Sequence, residues 1–145
     1  MNKKSILFIF LLRIALGSLF LYAGFTKVIN SNWSAAGYLN GAKSFSGLYH
    51  WFASPANISW VNFLNEWGLT AIGFCLILGL FVRWASLGGI LLMVLYYLAI
   101  LKFPYVGDHS LLVDEHIIYI LALALLGVAR AGNFWGLDGL MKKGN

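Results

Sequence analysis

The sequence has little charge, little proline and a single cysteine. Only 10% of its 145 residues are charged, whereas 61% are hydrophobic, and ordinary globular domains carry about 25% charged and 45–50% apolar residues. Such a chain cannot bury its apolar side chains in one small core, which excludes a soluble enzyme. The lone Cys75 excludes both an intramolecular disulfide and a CxxC redox pair. The two prolines, Pro55 and Pro104, lie outside the long apolar runs.

Four long apolar runs dominate the chain. They cover residues 5–25, 60–81, 84–101 and 111–129, each close to the roughly 20 residues that a membrane-spanning helix needs. The period-2 alternation of a membrane barrel is absent. The sequence therefore predicts an all-α integral membrane protein, a four-helix transmembrane bundle that forms one domain over residues 1–145. We expect the first run to be a retained span, because Arg13 interrupts it and no A-x-A-like cleavage site follows.

The basic residues near the ends of the runs predict the orientation. Six fall on one side, namely Lys3, Lys4, Arg83, Arg130, Lys142 and Lys143. Three fall on the other side, namely Lys27, Lys43 and Lys102. The positive-inside rule then puts both termini in the cytoplasm of a multi-pass protein of the cell inner (plasma) membrane. The formal charge of +5 reports this topology, and no nucleic-acid partner is expected.

The loop between the first two runs, residues 30–59, is too long for a plain connector. Apolar residues recur in it at steps of four and three, at Tyr38, Ala42, Phe45, Tyr49 and Phe52. This spacing is typical of an amphipathic helix. We expect that helix to lie at the outer membrane interface as a lid, among tryptophans that are typical of an aromatic belt.

Ionisable and small residues share one face of the first run: Arg13, Gly17, Phe20, Gly24 and Lys27. Small residues allow close helix approach in membranes, so this face is expected to point into the bundle. An ionisable side chain in hydrocarbon costs roughly 2.5–3.5 kcal/mol on insertion scales and needs a partner or a use. For Glu66 in the second run two interpretations are open, a structural ion pair with Lys27 or a functional site.

A third polar cluster surrounds the start of the fourth run. Asp114, Glu115 and His116 are consecutive there, and Tyr119 follows at helical spacing. Successive helical positions diverge by about 100°, so these groups cannot all ligate one metal from a regular helix. No metal site is expected. The residues suggest no further role for Asp114, Asp108 or His109.

Helical rise brings Lys27, Glu66, Glu115 and His116 to similar depths near the outer surface. A carboxylate and a histidine beside a lysine, at the mouth of an apolar bundle, suit the binding and protonation of a lipophilic carbonyl such as a quinone. We predict that Glu66 and His116 are the catalytic proton carriers. The predicted substrate-binding residues are Arg13, Lys27, Glu115 and Tyr119. A dry bundle with a charged rim is the competing interpretation.

The order and spacing of several motifs resemble the DoxX family of small membrane proteins. The resemblance begins with Leu12-Arg13 through Lys27, continues with Glu66-Trp67-Gly68-Leu69 and Leu78-Gly79-Leu80, and closes on Gly136-Leu137-Asp138-Gly139. It implies a four-helix transmembrane bundle. It also implies kinship with DoxD, the large subunit of an archaeal thiosulfate:quinone oxidoreductase, and hence thiosulfate oxidation coupled to quinone reduction, with Lys27, Arg13 and Lys102 available to attract the thiosulfate dianion.

The leading hypothesis is therefore a quinone-interacting membrane oxidoreductase subunit with its site on the outward half of the bundle. It uses quinone, with no metal or flavin expected. Its expected partners are membrane lipid, a partner redox subunit and a second copy of the chain through small-residue faces such as Gly88-Gly89. Two alternatives stay open: a non-catalytic adaptor that assembles redox or oxidative-stress enzymes, and a small lipophile or ion carrier.

Overall fold

Three helices of the protein are long and apolar enough to cross a membrane. The structure is a computed structural model and describes residues 2–107 and 110–143. The three helices are α1 (Lys3–Val28), α4 (Ile58–Leu78) and α5 (Val82–Ile100). Their outer faces expose large apolar side chains such as Phe8 and Leu91, as a surface in contact with lipid requires. The chain is a helical membrane protein.

The fourth apolar run forms a shorter helix than the sequence predicts. Helix α6 (Glu115–Val128) has 14 residues and is about 21 Å long, less than the roughly 30 Å of a bilayer core. The helix starts late because the Asp114 carboxylate caps it by accepting from the backbone N–H groups of His116 and Ile117. Before that cap, Leu112 N donates to the Pro104 carbonyl at 3.1 Å, which holds the segment in a loop.

Glycines let α1 and α4 pack with their backbones in contact. A Cβ added at Gly24 would collide with the backbone of Thr70, and one at Gly73 would collide with the backbone of Leu21. Arg13, Gly17, Phe20 and Gly24 are all buried, which confirms that the small-residue face of the first run points into the bundle.

The second helix pair, α5 and α6, also meets at small residues. A Cβ at Gly89 would lie 2.8 Å from Leu123 Cδ1. Helix α4 contacts both α1 and α5, so the four apolar helices pack in chain order around one core. The side chains of Phe20, Leu76 and Leu126 are fully buried there.

The loop after α1 contains two short helices in place of the single helix that the spacing predicts. They are α2 (Ala36–Asn40) and α3 (Ser46–Ala53). The chain breaks between them because Lys43 N donates to the Ala99 carbonyl at 2.7 Å and Phe45 adopts a positive φ of 50°. Both features are incompatible with one continuous helix.

Short elements close the two ends of the bundle. Strands β1 (Leu101–Lys102) and β2 (Tyr105–Val106) pair antiparallel after α5, with Leu101 opposite Val106. After α6 the chain makes a 3-10 turn (Ala131–Asn133) and ends its described part in α7 (Leu137–Lys143). Asp138 caps α5, because its two carboxylate oxygens accept from Phe81 N at 2.7 Å and Val82 N at 3.1 Å.

The close contact of α1 and α4 predicts opposite effects for two alanine substitutions in α4. Gly73→Ala forces a Cβ against the backbone of Leu21 and should cost about 1–3 kcal/mol of stability. Gly68→Ala meets only Leu92 Cδ1 at 3.8 Å and should be neutral or stabilising, because alanine favours helix. Melting in mild detergent measures both variants. Equal melting temperatures would contradict the packing described.

Candidate functional site

A cavity of about 650 Å³ opens at the end of the bundle where α1 ends and α6 begins. It is bounded by α1, α4, α5 and the start of α6, with α2 and α3 as its roof. Its lining comprises Lys27, Trp33, Ser34, Ala35, Tyr38, Leu39, Tyr49, Phe52, Trp60, Val61, Leu64, Asn65, Leu92, Leu95, Tyr96, Ile100, Glu115 and His116. Most of these side chains are apolar or aromatic, as is usual for pockets that bind small molecules.

Three of the predicted site residues line this cavity together. They are Lys27 at the end of α1 and Glu115 and His116 at the start of α6. They lie almost 90 positions apart in the chain and meet because α1 and α6 bring these ends to one side of the bundle. One cation, one carboxylate and one imidazole therefore face a largely apolar space.

Asp114 orients the imidazole of His116. The His116 Nδ1 atom lies 2.6 Å from Asp114 Oδ2, and only 14% of the His116 side chain and 11% of the Asp114 side chain are exposed. An imidazole that donates from Nδ1 to a carboxylate leaves Nε2 as the atom that accepts or releases a proton. The Tyr96 ring meets the His116 ring edge to face at 6.1 Å, which further restricts the imidazole.

Two contacts hold the Lys27 ammonium at the cavity. Its Nζ donates to the Ala23 carbonyl at 2.7 Å and lies 5.4 Å from the centroid of the Trp33 ring. A lysine ammonium has three N–H donors, so two of them stay available beyond the bond to Ala23. The group can therefore donate to an oxygen of a ligand in the cavity.

Two tyrosines fasten the roof to α5. The Tyr38 hydroxyl donates to the Tyr96 carbonyl at 2.7 Å, and the Tyr49 hydroxyl donates to the Leu95 carbonyl at 2.6 Å. Burial, followed by the proximity of Tyr49 and Asp114, raises the pKa of Tyr38 to about 12. Burial also raises the pKa of Tyr49. Both hydroxyls keep their protons at neutral pH and act as donors to α5.

Sequence reasoning missed the polar pair Asn65 and Tyr96 at the cavity wall. The Tyr96 hydroxyl donates to Asn65 Oδ1, and Asn65 Nδ2 donates to the Val61 carbonyl at 2.9 Å. Asn65 is buried in the apolar helix α4. An amide inside a predicted span is itself a signal of a partner, and it could have identified this position beside the charged Glu66.

Glu66 and Tyr119 do not line the cavity. Asn65 occupies the cavity face of α4, and Glu66 lies on the neighbouring face, where its carbonyl accepts from Thr70 Oγ1 at 2.7 Å. The ion pair with Lys27, one of the two interpretations of Glu66, is not formed, since the part of the chain that the structure describes has only the His116–Asp114 pair. Tyr119 packs against Phe20 in the core, with ring centroids 6.5 Å apart.

Arg13, which the sequence predicts as a substrate-binding residue, does not line the cavity. It precedes Lys27 by about 21 Å of helix, and its side chain is fully buried. Its guanidinium donates to the carbonyls of Ala131, Phe134 and Trp135 at 2.7, 3.0 and 3.0 Å. Arg13 thus binds the segment after α6 to the opposite end of the bundle.

Among residues 2–107 and 110–143, no three His, Cys, Asp or Glu side chains cluster so that they could hold a metal ion. Asp108 and His109, which the sequence left without a role, lie outside the described residues. The acid–base groups at the cavity are therefore His116, its partner Asp114, Glu115 and Lys27.

These features define a class: an α-helical membrane protein with a partly enclosed, aromatic cavity at one end of its bundle. The family model of DoxX matches residues 8–101, about two thirds of the chain, and the protein belongs to the DoxX family. The matched part contains Lys27, Asn65 and Tyr96, whereas Asp114 and His116 lie beyond it. No curated protein and no solved structure matches the chain.

The contacts of Arg13 predict that it stabilises the fold. Arg13→Met leaves three carbonyls without their donor, and each buried unsatisfied group costs about 1–3 kcal/mol. We expect a markedly lower melting temperature and faster proteolysis after Ala131. Lys4→Met, which removes an exposed cation from the same helix, is the matched control. If the two variants have the same melting temperature, Arg13 does not have this role.

Proposed function

We propose that the protein is a quinone-interacting subunit of a membrane oxidoreductase, and that the quinone head group binds in the cavity. One observation carries the proposal: a single aromatic cavity joins a lysine with available donors to an imidazole that a carboxylate orients. A site that only anchors lipid needs neither group. The four-helix topology, with α6 as the short fourth transmembrane helix, is part of this proposal.

The cavity suits a quinone head group in size and in chemistry. Its volume of about 650 Å³ falls within the range of about 300–1,000 Å³ that is usual for small-ligand pockets. Trp33, Tyr49 and Trp60 supply aromatic surface for a flat ring. Lys27 Nζ can donate to one ring carbonyl oxygen, while His116 and Glu115 face the same space. The apolar helices beside the cavity can accommodate an isoprenoid tail.

Quinone reduction consumes two electrons and two protons for each quinol formed. His116 Nε2 is the proposed proton donor, with Asp114 as the positioning residue that fixes its tautomer. Glu115 adjoins His116 in the chain and is proposed to return protons to it. Glu66 does not line the cavity, so the proposed chemistry assigns no step to it.

The proposed electron donor is thiosulfate, as the resemblance to DoxD suggests. Two thiosulfate dianions join through a new S–S bond to give tetrathionate and release two electrons, which balances the reduction of one quinone. Lys102, exposed on β1 two residues after the cavity residue Ile100, is available to attract the dianion. A partner redox subunit is proposed to complete the electron path.

The proposed orientation follows the basic residues. With both termini in the cytoplasm of the inner membrane, Arg13 and the segment that it binds lie on the cytoplasmic side. The cavity and its roof of α2 and α3 then face outward. A quinone would enter from the outer leaflet, and protons and thiosulfate from the outer aqueous phase.

The first test measures quinone binding through the tryptophans that line the cavity. A short-chain benzoquinone should quench the fluorescence of the purified protein in a saturable way. Lys27→Met should weaken this binding about 10- to 100-fold, because a hydrogen bond to a charged group contributes about 1.5–3 kcal/mol. Lys43→Met removes a cation that does not line the cavity and should bind like the wild type. Unsaturable quenching, or equal binding by both variants, would overturn the assignment.

The second test separates binding from proton transfer. His116→Gln should lower kcat for thiosulfate-dependent quinol formation about 10²- to 10⁴-fold and leave quinone binding nearly unchanged. Asp114→Asn keeps a good helix cap but removes the charged partner of Nδ1, so its kcat should fall between those of His116→Gln and the wild type. Glu66→Gln is the control with unchanged turnover. Full activity of His116→Gln would eliminate it as the proton donor.

An adaptor that assembles redox or stress enzymes is the second candidate. Trp135, Leu140 and Met141 are exposed on the closing segment beyond α6, where a protein partner could pack. Extraction of the protein from native membranes discriminates the two functions. A stoichiometric quinone favours the oxidoreductase subunit, whereas a ligand-free protein that repeatedly carries the same protein partner favours the adaptor.

A further inference from the structure

A second groove lies between α5 and α6, at the end of the bundle opposite the cavity. Its volume is about 440 Å³. Two arginines line one end of the groove, which we call its head: Arg83 at the start of α5 and Arg130 just after α6. Both arginines are exposed. Among the described residues, no carboxylate lines this groove, so its head carries an uncompensated positive charge.

The body of the groove is apolar and lies along the two helices. Leu87, Ile90 and Leu123 line it, and the distance from Arg83 to Ile90 corresponds to about 10 Å along α5. A charged head that continues into an apolar channel along a membrane helix matches an amphiphile with an anionic end. A small soluble anion would contact only the arginines and would leave the apolar part of the groove empty.

One buried polar atom in the groove has no partner. Ser86 lines the groove and is 1% exposed, and its hydroxyl makes no hydrogen bond within the described structure. A serine hydroxyl in a helix usually bonds to a carbonyl one turn earlier, so an unpaired one is unusual. Ser86 lies about 4.5 Å along the helix axis from Arg83. In a phospholipid the ester oxygens lie a similar distance from the phosphate.

We propose that this groove is a binding site for an anionic phospholipid. Arg83 and Arg130 bind the phosphate, as basic residues at membrane surfaces bind anionic head groups. The Ser86 hydroxyl donates to an ester carbonyl. One acyl chain lies against Leu87, Ile90 and Leu123. An occupied groove would add contacts between α5 and α6 beside the point where Ser86 meets Gly127.

Native mass spectrometry with added phosphatidylglycerol tests the proposal, with phosphatidylcholine as the neutral competitor. The wild type should retain one phosphatidylglycerol in preference to phosphatidylcholine. The double variant Arg83→Gln, Arg130→Asn should bind it roughly 30-fold more weakly, for two surface cations removed. Asn is chosen at position 130 because Arg130 has a positive φ of 49°, which Asn tolerates well.

Two further variants separate a built site from general charge attraction. Lys3→Gln, Lys4→Gln removes two exposed cations from α1 and should leave phosphatidylglycerol binding unchanged. Ala124→Phe fills the groove without changing charge and should abolish it. The proposal is overturned if phosphatidylcholine binds equally, if the two double variants bind alike, or if Ala124→Phe binds normally. A dimer mass that the arginine variant abolishes, without bound lipid, would assign the groove to a second copy of the chain.

Discussion

The backbone contact of α1 with α4 is the constraint on which the rest of the structure depends. Gly24 and Gly73 let the two helices approach until an added methyl group would collide with the partner backbone. Because α1 and α4 cannot slide past each other at this contact, the residues beyond it are fixed in level. Lys27, one turn after Gly24, and Asn65 on α4 therefore face the same cavity.

Polar groups within the bundle divide into two sets with different consequences. At one end the guanidinium of Arg13 meets three carbonyls, and Asp138 caps α5 in the same region. These contacts use the hydrogen-bonding capacity of both side chains within the protein. At the other end, Lys27 and His116 are each bonded on one side only, so each keeps donor or acceptor capacity toward the cavity. The buried polar groups thus stabilise the fold at one end and remain available to a ligand at the other.

The sequence predicts the membrane helices and part of the site, for physical reasons that act locally. The length of an apolar run and the spacing of residues on a helix are properties of neighbouring residues. The sequence alone therefore predicts α1, α4, α5 and the buried face of α1. Helical rise predicts a similar depth for Lys27, Glu115 and His116, and in the structure all three line one cavity. Depth does not tell which face of a helix a residue occupies once the helices pack together. The sequence therefore also predicts Glu66 and Tyr119 at the site, although neither lines the cavity.

Other features depended on contacts between distant segments. The place of Arg13 is decided by carbonyls more than 115 residues away, which no spacing within α1 reveals. The break between α2 and α3 follows from the bond of Lys43 to Ala99, on another helix. Asn65 and Tyr96 gave a weaker signal, because each reads as an isolated polar residue in an apolar run until the two helices are brought together.

The cavity lies where α4 continues beyond the end of α1. Gly24, four residues before α1 ends, lies against Thr70, twelve residues after α4 begins, so α4 extends about 12 Å past α1. The start of α6 lies at the level where α1 ends, since Lys27, Glu115 and His116 line the same cavity, and α2 and α3 cover the space beyond with aromatic side chains. Asp114, which sets that start by capping α6, is also the residue that orients His116. One carboxylate therefore fixes both the room for a ligand and the acid–base group that faces it.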